Sequence, residues 1–183
     1  MAIKVVLVGC GNMGHAMLAG WLKAGRLAPS EVFVVEPADA LRTRAAALGV
    51  ATGGSAADLT SDAAPELIIL AVKPQVIRAV TAEYKRFADK GTTFLSIAAG
   101  TSIATLMEIL GGNTPVVRCM PNTPAAIGKG MMVVYANDRV ARPALDFIDA
   151  LLGTSGAVAH IDDEKLMDAV TAVSGSGPAY IFH

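Results

Sequence analysis

The first fourteen residues constrain the fold of this chain most strongly. Ile3–Val8 is an apolar, largely β-branched run, and it leads into Gly9-Cys10-Gly11-Asn12-Met13-Gly14 and then a helical pattern of apolar residues. The order of strand, glycine-rich turn and helix is typical of a βαβ unit that binds a dinucleotide. In such a unit the first glycine permits the turn, the second lets backbone approach a pyrophosphate, and the third lets the helix pack closely on the strand. The bare pattern also occurs in ordinary turns, so its context decides between the two interpretations.

A second apolar strand supports the dinucleotide interpretation. Val32–Val35 ends in Glu36, which follows the glycines by the roughly twenty residues expected for a ribose-binding acid. A carboxylate there accepts hydrogen bonds from both ribose hydroxyls and repels a 2′-phosphate. We therefore expect NADH to be preferred over NADPH, with Arg42 and Arg44 partly offsetting the repulsion.

Apolar runs recur along the chain with helical patterns between them. The predicted strands are Ile3–Val8, Val32–Val35, Leu67–Val72, Thr93–Ile97, Val116–Met120, Met131–Tyr135 and Ala157–Ile161. Continuous apolar runs suit parallel strands that are covered on both faces. The sequence predicts a doubly wound, Rossmann-type α/β fold with a mostly parallel sheet over residues 1–161. Residues 162–183 are predicted to begin a helical C-terminal domain.

Ligands of such sheets bind at the carboxyl ends of the strands, so the segments that follow the strands are the candidate site. These are Ala71-Val72-Lys73-Pro74-Gln75, Ser96-Ile97-Ala98-Ala99-Gly100 and Met120-Pro121-Asn122-Thr123-Pro124. The small residues of the second segment let a flat ligand lie against backbone, and the prolines of the third stiffen the loop around Asn122. Lys73 is a catalytic acid, a phosphate ligand or a solvated lysine at a helix start. Arg118, within an apolar strand, is expected to pair with a carboxylate that the sequence does not identify.

Composition excludes several other classes of protein. The formal net charge is −1, which offers no electrostatic basis for binding nucleic acid. No apolar stretch reaches the length of a transmembrane helix, and the N-terminus shows no signal-peptide pattern. Cys10 and Cys119 form no disulfide framework, and no cluster of histidines or cysteines has metal-ligand spacing. We expect a cytoplasmic protein with no metal and no membrane contact.

Taken together, the motifs resemble those of the pyrroline-5-carboxylate reductase family, in the family's order and at about its spacing. The resemblance rests on Gly9–Gly14, Ala71–Gln75, Ser96–Gly100, Met120–Pro124 and Ser174-Gly175-Ser176-Gly177-Pro178-Ala179-Tyr180. That family reduces 1-pyrroline-5-carboxylate to L-proline with NADPH or NADH. The resemblance implies that the pyrophosphate lies on Gly9–Gly14 and that Glu36 meets the adenosine ribose.

The same resemblance implies roles for the other segments. Ala71–Pro74 and Ile97–Ala99 line the nicotinamide side, Glu164 lies close to the substrate, and Ser174–Gly177 shape the imine pocket. The family continues with a helical domain that interlocks two subunits and completes the substrate site. The resemblance therefore implies that the full-length protein is a homo-oligomer. This chain alone is expected to bind dinucleotide and to reduce the imine slowly or not at all.

Two alternatives remain open from the sequence. One is another imine or β-hydroxyacid reductase on the same scaffold, against which the Ser174–Pro178 element argues. The other is a dinucleotide-binding module without turnover.

Overall fold

A single eight-stranded sheet organises the chain in the computed structural model, which describes residues 3–175. Its strands stand in the order β3-β2-β1-β4-β5-β6-β7-β8, and all neighbours are parallel except β6 and β7. The strands are β1 Val5–Val8, β2 Val32–Val35, β3 Ala51–Gly53, β4 Leu67–Leu70, β5 Thr93–Ser96, β6 Val116–Met120, β7 Gly130–Ala136 and β8 Gly156–His160. The order reverses between β1 and β4, so these two strands form the switch point of a doubly wound sheet. The predicted fold class is confirmed.

Helices cover both faces of this sheet. They are α1 Asn12–Lys23, α2 Asp39–Ala46, α3 Ile77–Glu83, α4 Lys85–Ala88, α5 Ile103–Leu110, α6 Arg142–Leu152 and α7 Leu166–Val170. Side chains of α1, α2 and α6 join one hydrophobic cluster with alternate residues of the strands. Side chains of α3, α4 and α5 join a second cluster on the opposite face. Because both faces are covered, every residue of β1, β2, β4 and β5 is buried.

The structure adds one strand that the sequence did not predict. The edge strand β3 has only three residues, Ala51–Gly53, and pairs with β2 through Phe33 and Ala51. Its composition lacks the β-branched and aromatic run that marks a strand, because alanine and glycine have low strand propensity. Its place at the sheet edge is therefore decided by tertiary pairing.

Strand ends and the last helix also differ from the predicted bounds. β4 ends at Leu70, so Ala71 and Val72 belong to the loop that follows it. The predicted helical stretch after Asp163 divides into α7 and a π-helical turn, Thr171–Gly175. Residues 176–183, which include Ser176 and Gly177, lie outside the described residues. The division into domains at residue 161 stays a prediction.

Candidate functional site

The glycine-rich loop joins β1 to α1 at the switch point of the sheet. Gly9 has a φ of +89°, and a Cβ built there lies 2.6 Å from the carbonyl oxygen of Ala71. A Cβ built at Gly14 lies 2.4 Å from the carbonyl oxygen of Gly9. These distances are too short for any real side chain, so Gly9 and Gly14 let the loop, the first helix and the neighbouring strand approach one another.

Gly11 differs from the other two glycines of the motif. It is the N-cap of α1 with a φ of −63°, and a Cβ built there has no heavy atom within 4 Å. Because Gly11 has no side chain, it makes no capping hydrogen bond to the first amides of α1. The first amides of α1, from Asn12 onward, therefore adjoin open space at the positive end of the helix dipole. Such a helix start can bind the phosphates of an anionic ligand.

Glu36 fastens the glycine-rich loop to the end of β2. Its side chain is buried, and its Oε2 accepts a hydrogen bond of 2.7 Å from the Cys10 amide. Its Oε1 accepts a second, of 3.0 Å, from the Ala38 amide. Each carboxylate oxygen can accept more than one hydrogen bond, so these contacts leave acceptor capacity for a ribose hydroxyl.

Two arginines of α2 donate to backbone carbonyl oxygens of the glycine-rich loop and of Glu36. Arg42 donates to the backbone carbonyl oxygen of Glu36 at 2.8 Å, and its guanidinium also pairs with the Asp39 carboxylate. Arg44 donates to the carbonyl oxygens of Cys10 and Gly11 at 2.9 and 3.2 Å. The loop is therefore held by Glu36 on its amide side and by Arg44 on its carbonyl side.

A cavity of about 470 Å³ opens between the carboxyl ends of β1 and β4. It is lined by residues of the motif and of the β4 loop, among them Gly11, Glu36, Val72 and Lys73. Its volume falls within the range of small-molecule and cofactor sites. The sequence predicted these four lining residues but missed the side of the cavity formed by Val76, just before α3, and by Val80 and Glu83 of α3. The exposure of Val76, 47%, is visible only in the structure.

The loops after β5 and β6 form the other part of the carboxyl edge. After β5, Ala98 is buried and its amide donates to Ser96 Oγ at 3.2 Å, while Ala99 is exposed. After β6, Asn122 Oδ1 accepts a hydrogen bond of 2.9 Å from the Met131 amide. Asn122 Nδ2 donates to Ser174 Oγ at 3.2 Å. The structure thus brings two predicted site residues together that lie 52 positions apart in the chain.

Glu164 provides the carboxylate that Arg118 was expected to need. Its Oε1 accepts from Arg118 Nη1 at 2.7 Å and from the Ile103 amide at 2.8 Å. Lys73 belongs to the other part of the site. It is exposed, and it lines the same cavity as Glu36. The predicted site residues therefore form two sets along one edge of the sheet, one at the glycine-rich loop and one at β6.

Both cysteines of the chain are buried. Burial raises the pKa of the Cys10 thiol to about 11, and burial likewise raises the pKa of Cys119. Within residues 3–175, no group of three or more histidine, cysteine, aspartate or glutamate side chains is arranged to hold a metal ion. None of the helices in this part of the chain is both long and apolar enough to cross a membrane.

Comparison with known proteins gives matches over the whole chain. Residues 4–100 match the family model described as NADP oxidoreductase coenzyme F420-dependent. The pyrroline-5-carboxylate reductase of Pseudomonas aeruginosa is 38% identical over 180 residues, covering 98% of this chain and 65% of that protein. The pyrroline-5-carboxylate reductase of Escherichia coli K12 is 35% identical over 185 residues, covering 100% of this chain and 67% of that protein.

Solved structures agree with these sequence matches. A pyrroline-5-carboxylate reductase from Coxiella burnetii superposes with a TM-score of 0.91 at 27% identity, covering 100% of this chain and 67% of that one. The Plasmodium falciparum pyrroline carboxylate reductase, solved with NADP bound, superposes with a TM-score of 0.83 at 28% identity, covering 98% of this chain and 65% of that one. This chain thus spans 65% of the length of its Pseudomonas relative. With the fold, the glycine-rich loop and these matches in agreement, the chain belongs to the pyrroline-5-carboxylate reductase family.

Proposed function

We propose that this chain binds NAD(P)H and provides the cofactor side of a reductase that converts 1-pyrroline-5-carboxylate to L-proline. The observation that carries the proposal is the open approach to Gly11, directly beside the 470 Å³ cavity at the switch point. A dinucleotide pyrophosphate needs this combination of free helix amides and backbone without a side chain. The proteins of this name among the relatives, one of them solved with NADP bound, support the choice of ligand.

In this proposal each segment of the site contacts a different part of the cofactor. The amides of Asn12 and Met13 bind the pyrophosphate, and Glu36 accepts hydrogen bonds from the adenosine ribose. Val72 and Lys73 border the cavity on the β4 side. Bound NAD(P)H supplies the hydride that adds to the imine carbon. The protein contributes orientation, because hydride addition needs a close and aligned approach more than a strong base.

On the nicotinamide side, the small side chains of Ala98 and Ala99 let a flat ring lie against the loop that follows β5. Asn122 holds Ser174 at this edge through the 3.2 Å hydrogen bond. We place the imine pocket at Ser174–Gly175, continuing into Ser176 and Gly177. The imine nitrogen must carry a proton when the hydride arrives, and the product nitrogen keeps it as the amine of L-proline.

The surroundings of Glu36 support a preference for NADH. Its carboxylate is buried at the end of β2, where a 2′-phosphate would meet a like charge. Arg42, the cation best placed to offset that charge, already pairs with Asp39. The preference is decided by titrating the protein with both cofactors at one ionic strength.

The assembly that the resemblance implies and the location expected from composition remain part of this proposal. A second copy of the full-length protein is the expected partner, and the cytoplasm is the expected location. Leu166 and Val173, on the segment that follows β8, are 50% and 76% exposed. Apolar side chains at such exposure are consistent with a surface that another polypeptide covers.

Two measurements test the function. Calorimetric titration with NADH and NADPH tests binding. A single-turnover reaction, with protein in excess over NADH and 1-pyrroline-5-carboxylate and L-proline detected by mass spectrometry, tests the chemistry without requiring rapid turnover. Lys73→Ala is compared with Gln75→Ala, its exposed neighbour, to identify any role of the lysine. Saturable binding with slow or undetectable formation of proline is the result expected of this chain alone. Proline formed at a rate typical of an enzyme would show that the substrate site is complete within these residues, and absent binding would overturn the proposal.

A further inference from the structure

One carboxylate oxygen joins three elements of the fold. Glu164 Oε1 accepts from the guanidinium of Arg118, in the middle of β6, and from the backbone amide of Ile103, the first residue of α5. Glu164 itself lies just before α7. Arg118 and Ile103 lie 46 and 61 positions before Glu164 in the chain. A single side chain therefore links the segment after β8 to both β6 and α5.

The electrostatics make this junction specific. Arg118 is 5% exposed, and its Nη2 has no acceptor within residues 3–175. Glu164 supplies the carboxylate that neutralises this buried guanidinium. A buried charge left without its partner is strongly unfavourable, so the pair opposes displacement of the segment that carries Glu164. The Ile103 amide is one of the helix-start donors that need an acceptor outside the helix.

Each element held by Glu164 leads to the cofactor edge. The loop after β5, which contains Ile97–Ala99, ends where α5 begins at Ile103. Strand β6 continues from Arg118 to the loop that contains Asn122. The segment after Glu164 runs through α7 to Ser174, which returns to Asn122 by its hydrogen bond. The contacts close a ring that runs from Glu164 through β6 and Asn122 to Ser174 and back along α7.

We propose that Glu164 is a positioning residue for the nicotinamide side of the site. It sets the loop at Ile97–Ala99 and the Asn122–Ser174 contact relative to each other, and its effect on the cofactor passes through Arg118 and Ile103. The proposal rests on the dinucleotide binding proposed above. It requires that loss of Glu164 disturbs the nicotinamide end of the ligand while the adenosine end, held at Gly11 and Glu36, stays unchanged.

A comparison of two ligands isolates that effect. ADP-ribose carries the adenosine and the pyrophosphate but no nicotinamide, whereas NADH carries all three. Calorimetry gives both dissociation constants for the parent chain and for Glu164→Ala. Asp163→Ala is the matched control, because Asp163 is the adjacent carboxylate and its side chain accepts a hydrogen bond from the Lys165 amide rather than from Arg118 or Ile103. Melting curves and the fluorescence of the buried Trp21 establish that each variant is folded.

For Glu164→Ala we expect the dissociation constant of NADH to rise about tenfold, because the nicotinamide side of the site is no longer held in its binding geometry. The constant for ADP-ribose should change by less than about twofold, since its site lies on separate contacts. Asp163→Ala should leave both constants at the parental values. Glu164→Gln, which keeps an acceptor oxygen without the charge, should restore part of the NADH affinity.

Equal weakening of NADH and ADP-ribose would overturn the proposal, because it would indicate a general loss of structure. Parental affinity of Glu164→Ala for NADH would overturn it as well. If Glu164→Ala does not fold, Glu164→Gln is judged by the same ratio of the two constants, and an unchanged ratio refutes the role. If the parent chain binds neither ligand, the proposed dinucleotide binding fails first and this inference fails with it. No imine substrate is used, so failure of the proposed reduction is a separate result.

Discussion

Replacing Gly11 tests the glycine-rich loop without disturbing the fold. Gly11 has an ordinary negative φ, and a Cβ built there meets no heavy atom within 4 Å. A side chain in place of glycine restricts the unfolded chain, which stabilises by about 0.4–1 kcal/mol. Loss of a favourable N-cap residue costs a similar amount, about 0.5–1 kcal/mol. The free energy of unfolding of Gly11→Val should therefore stay within about 1 kcal/mol of the parent value.

The effect on binding is expected to be larger. The valine side chain occupies the space through which a pyrophosphate reaches the amides of α1, so ligand and side chain compete directly. We expect the affinity for NADH to fall by well over tenfold, which corresponds to more than about 1.4 kcal/mol. Thermal melting and calorimetric titration of the same preparation measure both quantities. A folded Gly11→Val variant with parental NADH affinity would refute the assignment of this loop to the pyrophosphate.

Gly14→Ala provides the contrasting variant. Its Cβ would lie 2.4 Å from the carbonyl oxygen of Gly9, a backbone atom that cannot move aside alone. Overpacking of this kind costs about 1–3 kcal/mol, so this variant should lose stability. The two substitutions in one motif should thus separate binding from folding. Equal losses of stability would mean that the open space at Gly11 is not preserved in solution.

Four further outcomes are expected. Glu36→Ser should shift the ratio of the NADH and NADPH dissociation constants toward NADPH, since it removes the charge that opposes a 2′-phosphate; an unchanged ratio would mean that Glu36 does not face the ribose. Burial and the charge of Arg44 lower the pKa of His15 from its ordinary 6.5. The contribution of this pKa shift to the free energy of unfolding is complete above pH 6.5 and declines as the pH falls below it. Urea titrations should show that His15→Asn reduces this decline. The Cys10 thiol, with a pKa raised to about 11, should resist iodoacetamide at about pH 8 in the folded protein and react after unfolding. Val173→Lys should reduce self-association of the chain in light scattering, since it replaces an apolar side chain that is 76% exposed.

Local patterns were sufficient to predict most of the sheet. Runs such as Leu67–Leu70 are apolar at every position, which only a strand covered on both faces requires. The one missed strand, Ala51–Gly53, shows the limit of that reasoning. Of its three residues only Thr52 favours a strand, and pairing with β2 places them in the sheet.

Glycine roles in the first loop were also predictable, since each follows from a general requirement of the turn. The structure confirms the close approaches at Gly9 and Gly14 and the open position at Gly11. It adds a contact that spacing does not reveal, namely the hydrogen bond from the Cys10 amide to Glu36. The sequence placed Glu36 at the ribose position, but only the three-dimensional arrangement shows that it also fastens the loop.

The amino-acid sequence by itself determined the fold class, the family and the edge of the sheet at which the candidate site lies, because these depend on residue patterns within about twenty positions. Tertiary structure alone decided which side chains meet across that edge. Arg118 finds Glu164 and Asn122 finds Ser174 over separations of 46 and 52 residues. Such pairs depend on where β8 and α7 pack relative to β6. The local sequence around either partner does not specify that placement. The physical reason is that hydrogen bonds and ion pairs form by proximity in space, which the packing of the helices on the sheet creates.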